Sequence, residues 1–203
     1  MKATGDALLR LDSLRVPVPA SKMYTNPEDP AILRIREQLI KRMVEAPKGS
    51  MVPLQFGRVE LSASCHSAVL VPVLERKLRG DFPGRFVVGL DDTGRNEWDA
   101  DAGLRKASDV IGTKLLCVWQ IGREYRLVGP TDPQVLATYN FVLGFESSEG
   151  AGATARELAD EFRITIQAAS NRLAKAAGLG VVYAVEREPV AGGGTQFRFV
   201  AVA

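Results

Sequence analysis

The sequence predicts a two-domain α/β (α+β) protein, in which a small α/β domain is followed by a helical domain that ends in a hairpin. Apolar strand-like runs alternate with amphipathic helical stretches up to about residue 130, which is typical of an α/β domain. The break "GPTDPQ" ends this alternation. Beyond it the chain has helical patterns and then two strand-like runs around "AGGG". We therefore predict an irregular arm at 1–29, an α/β domain at 30–130 and a helical domain at 131–203.

The composition excludes several classes of protein. Of the 203 residues, 46% are hydrophobic and 25% charged, as in folded globular chains. A net charge of +2 is too small for a general coating of nucleic acid or membrane surface, so an electrostatic partner must be attracted locally. Two cysteines, Cys65 and Cys117, argue against a disulfide framework and fit a reducing cytoplasm. Because the N-terminal stretch carries charges and the longest apolar run is short, we expect a cytoplasmic protein without signal peptide or membrane span.

Each element of the α/β domain has a local signal. Asp29 followed by Pro30 predicts a helix start, because aspartate caps free N–H groups and proline suits the first helical position. Apolar residues then recur at helical spacing. They are Ile32, Ile35, Leu39 and Met43. The run "SMVPLQFGRVEL" predicts a strand, and "SASCHSAVLVPVLERKLRG" a helix in its second half, kinked or restarted at Pro72.

The rest of this domain continues the alternation. The run "GRFVVGLDD" predicts a second buried strand and "WDADAGLRKASDVIG" another helix. The run "TKLLCVWQIGREYRLVG" predicts two short strands joined near Gly122. Strands that alternate with helices in this way indicate a sheet with helical crossovers.

The helical domain contains a compact pair of helices. "PQVLATYNFVLGF" predicts a first helix, and "TARELADEF" a second, which opens with Thr154 and Glu157 at capping-box spacing. The link "RIT" is so short that the next helix must turn sharply, with Thr165 as its cap. This spacing is that of a helix-turn-helix.

The third helix, in "ITIQAASNRLAKAAGLG", has no acidic residue. One side carries apolar residues that we expect to pack inward. They are Ile166, Ala169, Leu173 and Ala176. Gln167, Asn171 and Lys175 lie on the opposite side, with Ala168 and Arg172 beside them. Asparagine and glutamine can bond adenine bidentately, arginine can bond guanine, and lysine can bond phosphate, so this face suits a DNA major groove.

After this helix, "VVYAVEREPV" and "TQFRFVAV" predict two strands around the "AGGG" turn. With "TARELADEF", "AASNRL" and "GLGVV", this order resembles the winged helix-turn-helix domain of bacterial regulators over about a third of the chain. The resemblance implies binding of double-stranded DNA. The residues that we expect at the DNA are Thr165, Gln167, Ala168, Asn171, Arg172, Lys175, Arg187 and Arg198. The same fold also serves as a protein-binding module, and six basic against five acidic residues in 151–203 leave the domain nearly neutral.

The run "VPLQFGRVELSASCHSAVLVPVLERKL" resembles STAS-like domains, which are related to anti-sigma-factor antagonists. In those domains a strand leads into a serine-bearing loop at a helix start. The matching serine is Ser62, Ser64 or Ser67, and the resemblance implies a regulatory role for such a serine and a domain that binds a partner and does not catalyse a reaction. Where relatives often carry an acidic residue in the first strand, this chain has Gln55. The simpler interpretation is that the serines cap a helix.

We predict no catalytic residue, no metal site and no cofactor. His66 is the one histidine, so a metal site would lack ligands, and its neighbour Cys65 points away from it on a regular helix or strand. Asp91, Asp92, Asp99 and Asp101 could gather around magnesium, but such a run is more often a loop with helix-capping aspartates.

The favoured hypothesis is a sequence-specific DNA-binding transcriptional regulator. In it the α/β domain senses a signal, binds a protein partner or forms a homodimer. The alternative is a non-enzymatic partner-switching or scaffold subunit whose winged helix docks on protein. An enzyme ranks third.

Overall fold

The computed structural model describes residues 8–16, 23–149, 152–189 and 195–203. These residues form a mixed α/β structure with six helices and a mostly parallel central sheet. They divide into two compact units, Leu9–Thr131 and Asp132–Val202. Among the described helices, none has the length and apolar character needed to cross a bilayer.

The first unit contains eight strands and three helices among its described residues. They are β1 (Leu9–Arg10), β2 (Leu14–Arg15), β3 (Met23–Tyr24), α1 (Pro30–Glu45), β4 (Ser50–Gln55), β5 (Glu60–Leu61), α2 (Ala63–Leu78), β6 (Arg85–Leu90), α3 (Glu97–Ile111), β7 (Cys117–Ile121) and β8 (Glu124–Val128). The sheet order is β1-β4-β6-β7-β8, and β2 also pairs with β4. All of these pairings are parallel except that of β7 with the edge strand β8, and β3 pairs with β5 in a separate parallel ribbon. Helix α2 packs against both α1 and α3.

The N-terminal segment differs from the predicted irregular arm. Residues 9–10 and 14–15 add to β4 as short parallel strands, and residues 23–24 pair with β5. Leu14, Val16 and Tyr24 are buried in the core of this unit. Two residues are too few to show the alternating pattern by which a strand is recognised in a sequence. The extended conformation of these segments comes from the strands that they join. Residues 1–7 and 17–22 of the predicted arm lie outside the described residues.

Local signals account for the helices of this unit. Asp29 accepts a hydrogen bond from the Ala31 N–H at 2.8 Å, as its position before Pro30 predicts. The apolar stripe of α1 is fully buried. Helix α2 begins directly after Ser62 and remains one helix through Pro72, so the predicted restart at Pro72 is wrong. Its buried stripe, which includes Val69 and Val73, offsets the backbone hydrogen bond that proline removes.

Two glycines allow elements of this unit to approach closely. Gly89 in β6 lies opposite Trp119 in β7, and a Cβ atom at Gly89 would overlap the indole ring. Gly103 in α3 faces α2, where a Cβ atom would overlap the Ala63 carbonyl oxygen and lie 2.8 Å from Ser67 Oγ. Both positions therefore require glycine because of the space available, and not because of a positive φ.

The second unit contains three helices and a hairpin. They are α4 (Pro133–Glu149), α5 (Ala155–Phe162), α6 (Ile166–Gly178), β9 (Val182–Pro189) and β10 (Thr195–Ala201). The two strands are antiparallel, and Ala153 forms a further antiparallel bridge with Phe199. The predicted turn "AGGG" at 191–194 lies outside the described residues.

The core of this unit joins α4 to the last strand. Tyr139 is fully buried and donates its hydroxyl hydrogen to the Val202 carbonyl oxygen at 3.2 Å. The Ala201 N–H donates to a Glu146 carboxylate oxygen at 3.1 Å. Burial raises the pKa of Glu146, and the hydrogen bond from Ala201 opposes that effect. These contacts hold the C-terminal residues against α4.

Candidate nucleic-acid interface

The turn between α5 and α6 is built by caps on both helices. Thr154 and Glu157 form the predicted capping box, with the Glu157 carboxylate 2.6 Å from the Thr154 N–H. Helix α5 ends at Phe162, and its C-cap Arg163 has a φ of 50°, in the left-handed region that non-glycine residues seldom adopt. Thr165 then accepts a hydrogen bond from the Ala168 N–H at 3.2 Å, which is the predicted cap of α6. The sharp link is therefore fixed by local hydrogen bonds.

The inner side of α6 follows the prediction in three of its four residues. Ala169, Leu173 and Ala176 are fully buried. Ile166 was predicted to pack inward, but it is 49% exposed, so that prediction is wrong. It is the first residue of the helix and stands at the end of the buried stripe, which periodicity alone cannot show.

The outer side of α6 presents two amides. Gln167 and Asn171 are exposed, and the Gln167 side-chain amide donates to Asn171 Oδ1 at 3.1 Å. Gln167 Oε1 and Asn171 Nδ2 make no other hydrogen bond within the described residues. One acceptor and one donor group are thus presented side by side to solvent, the combination that adenine requires in the major groove.

The two cations of α6 already have partners. Arg172 is half-buried, with its guanidinium carbon 5.6 Å from the centre of the Phe162 ring, so it lies at the flank of the amide face. The Lys175 ammonium lies 2.8 Å from an Asp132 carboxylate oxygen. Exposed ion pairs contribute only about 0–1 kcal/mol, so a phosphate could replace Asp132 at little cost.

The two hairpin arginines differ in what the structure describes. The Arg198 guanidinium donates to the Gly152 carbonyl oxygen at 2.7 Å, which ties β10 to the segment before α5. Arg187 lies in β9 opposite Phe197, and its side chain lies outside the described part of the chain. Arg198 therefore has a structural contact that its sequence position does not reveal.

The charge of the surrounding surface is mixed. Helix α6 has no acidic residue, but Asp160 and Glu161 are exposed on α5. Residues 132–202 contain six basic and eight acidic side chains, a net charge of −2. Any attraction to phosphates must therefore be local to α6 and the hairpin.

The three serines of the α/β unit have different surroundings. Ser62 caps α2 by accepting the Cys65 N–H, at 3.4 Å, and its hydroxyl lies 3.0 Å from that of Ser64. Ser67 lies one turn inside the helix and donates to the Ala63 carbonyl oxygen at 2.9 Å. Ser64 is exposed in the first turn. Capping accounts for Ser62, while Ser64 is the serine that a modifying enzyme could reach.

His66 belongs to a buried cluster at the start of α2. Its Nε2 lies 3.3 Å from Asn96 Oδ1, and its ring contacts Phe56 and Trp119. Within the described residues, neither His66 Nδ1 nor Trp119 Nε1 has a hydrogen-bond partner. Burial lowers the pKa of His66 to about 4, although the Asn96 hydrogen bond and Asp91 oppose this. The neutral imidazole therefore packs as a core residue.

Three of the aspartates near α3 accept hydrogen bonds from backbone N–H groups. Asp91 accepts from the Asn96 N–H at 2.7 Å, Asp99 from the Ala63 N–H, and Asp101 from the Gly129 N–H. Within the described residues, no three histidine, cysteine or acidic side chains gather in a way that could hold a metal ion. Both cysteines are buried free thiols.

Sequence reasoning missed two residues of this surface, Asp132 and Phe162. Asp132 precedes α4 and accepts the Gln134 N–H at 2.8 Å, so it looks like an ordinary helix cap. Phe162 is an apolar residue at the end of α5, and one face of its ring meets Arg172. No local pattern in the sequence signals either contact.

Comparisons with protein-family models, with curated proteins and with solved structures find no match to this chain.

Proposed function

We propose that the protein is a sequence-specific DNA-binding transcriptional regulator. The order α4, the Ala153 bridge, α5, α6 and the β9–β10 hairpin corresponds to that of a winged helix, with α6 as the helix that enters the major groove. In this proposal the STAS-like α/β unit binds a protein partner, senses a signal or forms the dimer.

The observation that carries the proposal is the exposed Gln167–Asn171 amide pair on a helix without acidic residues. Ala168 and Ala174 beside the pair are small, so they leave the helix backbone free to approach base edges. Lys175 lies one turn beyond Asn171, where it can reach the phosphate backbone after leaving Asp132.

The test is a salt titration of DNA binding measured by fluorescence anisotropy. One duplex is selected by the wild-type protein from a randomised pool, and the other is its scrambled version. Asn171→Ala should cost about 1–3 kcal/mol on the selected duplex and far less on the scrambled one, because a base contact depends on sequence. Lys175→Ala should weaken both duplexes alike and lower the salt slope by about one, because a phosphate contact releases counterions on any sequence.

Lys106→Ala is the matched control, since Lys106 is an exposed lysine on α3 of the other unit. It should leave both affinities and the salt slope unchanged. If the wild-type protein selects no duplex and binds neither DNA at low salt, the proposal is wrong.

The second candidate is a scaffold or partner-switching subunit whose helical unit docks on protein. The net charge of −2 favours it, as does a shallow groove where Phe141 and Phe145 meet the exposed acids Asp160 and Glu161. Phe141→Ser with Phe145→Ser should leave DNA binding intact if α6 reads DNA. Loss of a cellular partner in co-purification with these variants, together with absent DNA binding, would favour docking.

A further inference from the structure

A cavity of about 330 Å³ lies in the first unit, where β2 and β4 end side by side. Arg15, the last residue of β2, pairs in register with Gln55, the last residue of β4. The cavity lining is Arg15, Val16, Gln55, Phe56, Gly57, Arg58 and Val59. Both strands are parallel, so this is the carboxyl edge of the sheet, where α/β proteins usually bind their ligands.

The polar side chains of this cavity are hydrogen-bond donors that find no partner in the described part of the chain. Within the described residues, Arg15, Gln55 and Arg58 make no side-chain hydrogen bond or ion pair. Most other arginines of the unit are held by a carboxylate, an amide or a carbonyl oxygen. Those arginines are Arg10, Arg42, Arg76, Arg79, Arg85, Arg95, Arg105 and Arg126.

The backbone adds two further donors. The Val59 N–H closes a turn on the Phe56 carbonyl oxygen at 3.0 Å, with Gly57 at a φ of 60°. The successive N–H groups of Gly57 and Arg58 donate to no described group. Consecutive free N–H groups in a turn form a concave site that favours anions.

The floor of the cavity is apolar and well supported. Val16, Phe56 and Val59 are buried, and the Phe56 ring stacks on Trp119 with 5.0 Å between ring centres. Among the described residues that line the cavity, none carries a carboxylate. A ligand that fits must therefore combine a negative group for the donors with an apolar body for the floor, and the volume suits a small molecule.

We propose that this cavity binds a small phosphate monoester with an apolar body, through Arg15, Arg58, the Gln55 amide and the two turn N–H groups. Two guanidinium groups and two backbone donors suit a phosphate, which offers more acceptor oxygens than a carboxylate. The proposal does not depend on DNA binding, so either can fail without the other.

The test uses phenyl phosphate as the probe in isothermal titration calorimetry with the full-length protein. Three comparison ligands each lack one feature of the probe. Inorganic phosphate lacks the ring, phenylacetate carries a carboxylate in place of the phosphate, and benzyl alcohol carries no charge. Phenyl phosphate should bind most tightly, inorganic phosphate and phenylacetate more weakly, and benzyl alcohol not measurably. Arg15→Gln and Arg58→Gln should each weaken phenyl phosphate by about tenfold, and the double variant should abolish binding at millimolar concentrations.

Arg34→Gln on α1 is the control, since Arg34 is an exposed arginine away from the cavity. It should bind phenyl phosphate like the wild type. Unchanged thermal unfolding of the double variant will show that lost binding is not lost folding. The proposal is overturned if phenyl phosphate does not bind the wild type, if the double variant binds it equally well, or if phenylacetate binds as tightly.

Discussion

At the scale of single residues, His66 shows how burial decides the role of a chemically capable side chain. It is fully buried, its Nε2 lies at hydrogen-bonding distance from Asn96 Oδ1, and Asn96 is itself oriented by Val59 and Leu61. The Asn96 amide donates to the Val59 carbonyl oxygen, so Oδ1 faces His66 as an acceptor and selects the tautomer with hydrogen on Nε2. An imidazole held neutral in this way stabilises packing and is unsuited to acid–base work near neutral pH.

The first prediction concerns His66→Leu and pH. Burial lowers the pKa of His66 to about 4, whereas an imidazole in the unfolded chain titrates near 6.5. The unfolded chain binds a proton in this interval and the folded chain does not, so the free energy of unfolding should fall as pH drops from 6.5 to 4. The full difference corresponds to about 3 kcal/mol. His66→Leu should remove this part of the pH dependence.

The measurement is urea unfolding of both proteins at several pH values from 4 to 7. Carboxylates titrate in both proteins, so the difference between the two curves isolates the histidine. If the two stability curves run parallel across this interval, the buried neutral state of His66 is wrong.

At the scale of elements, the packing of α2 on α3 depends on Gly103. The absence of a side chain there brings α3 against the Ala63 carbonyl and the Ser67 hydroxyl. Ser67, which the sequence offers as a regulatory residue, lies in this contact and donates to Ala63. Modification of Ser67 would therefore require the two helices to separate.

The second prediction compares two glycines in helices. Gly103→Ala should destabilise the protein by about 1–3 kcal/mol, because the added methyl group overlaps α2 and the helices must shift. Gly144→Ala in α4 should instead stabilise it by about 0.5–1 kcal/mol, because nothing lies within 4 Å of the new methyl group and alanine favours the helix. Chemical denaturation measures both. Equal effects of the two substitutions would contradict the close approach at Gly103.

At the scale of the whole molecule, net charge, cysteines and tryptophans are distributed unequally between the two units. Residues 9–131 have a net charge of +4 and residues 132–202 a net charge of −2. Both cysteines and both tryptophans lie in the first of these segments. Thiol reactivity and tryptophan fluorescence therefore report on the α/β unit alone.

The third prediction concerns the thiols. Cys65 and Cys117 are buried in the core of the α/β unit, and burial raises the pKa of Cys117 to about 12. A thiol reacts as the thiolate, so Cys117 should be inert in the folded protein at neutral pH, and Cys65 should be inert because a reagent cannot reach it in the core. Titration with a chromogenic disulfide reagent should detect no rapidly reacting thiol in the native protein and two after denaturation. A fast-reacting thiol in the native protein would contradict the burial of Cys65 and Cys117.

Local signals allowed the sequence to predict most helices and their starts. The caps Asp29, Thr154 with Glu157, and Thr165 act within three residues, so the sequence contains both partners of each hydrogen bond. The alternating pattern of residues 30–130 likewise predicted an α/β structure, and the structure adds that its central sheet is mostly parallel. The short strands before α1 were missed because a neighbouring strand, and not their own residues, gives them their conformation.

The sequence by itself determined the helical stripes, the caps and the acid-free face of α6, because each depends on neighbours within about one or two turns. Only the tertiary structure decided that Lys175 meets Asp132, that Arg172 lies over Phe162, and that Ile166 is exposed. It also brought Arg15 and Arg58 to one cavity. Such contacts join residues that are distant in the chain, and their geometry depends on how whole elements pack, which no local period records.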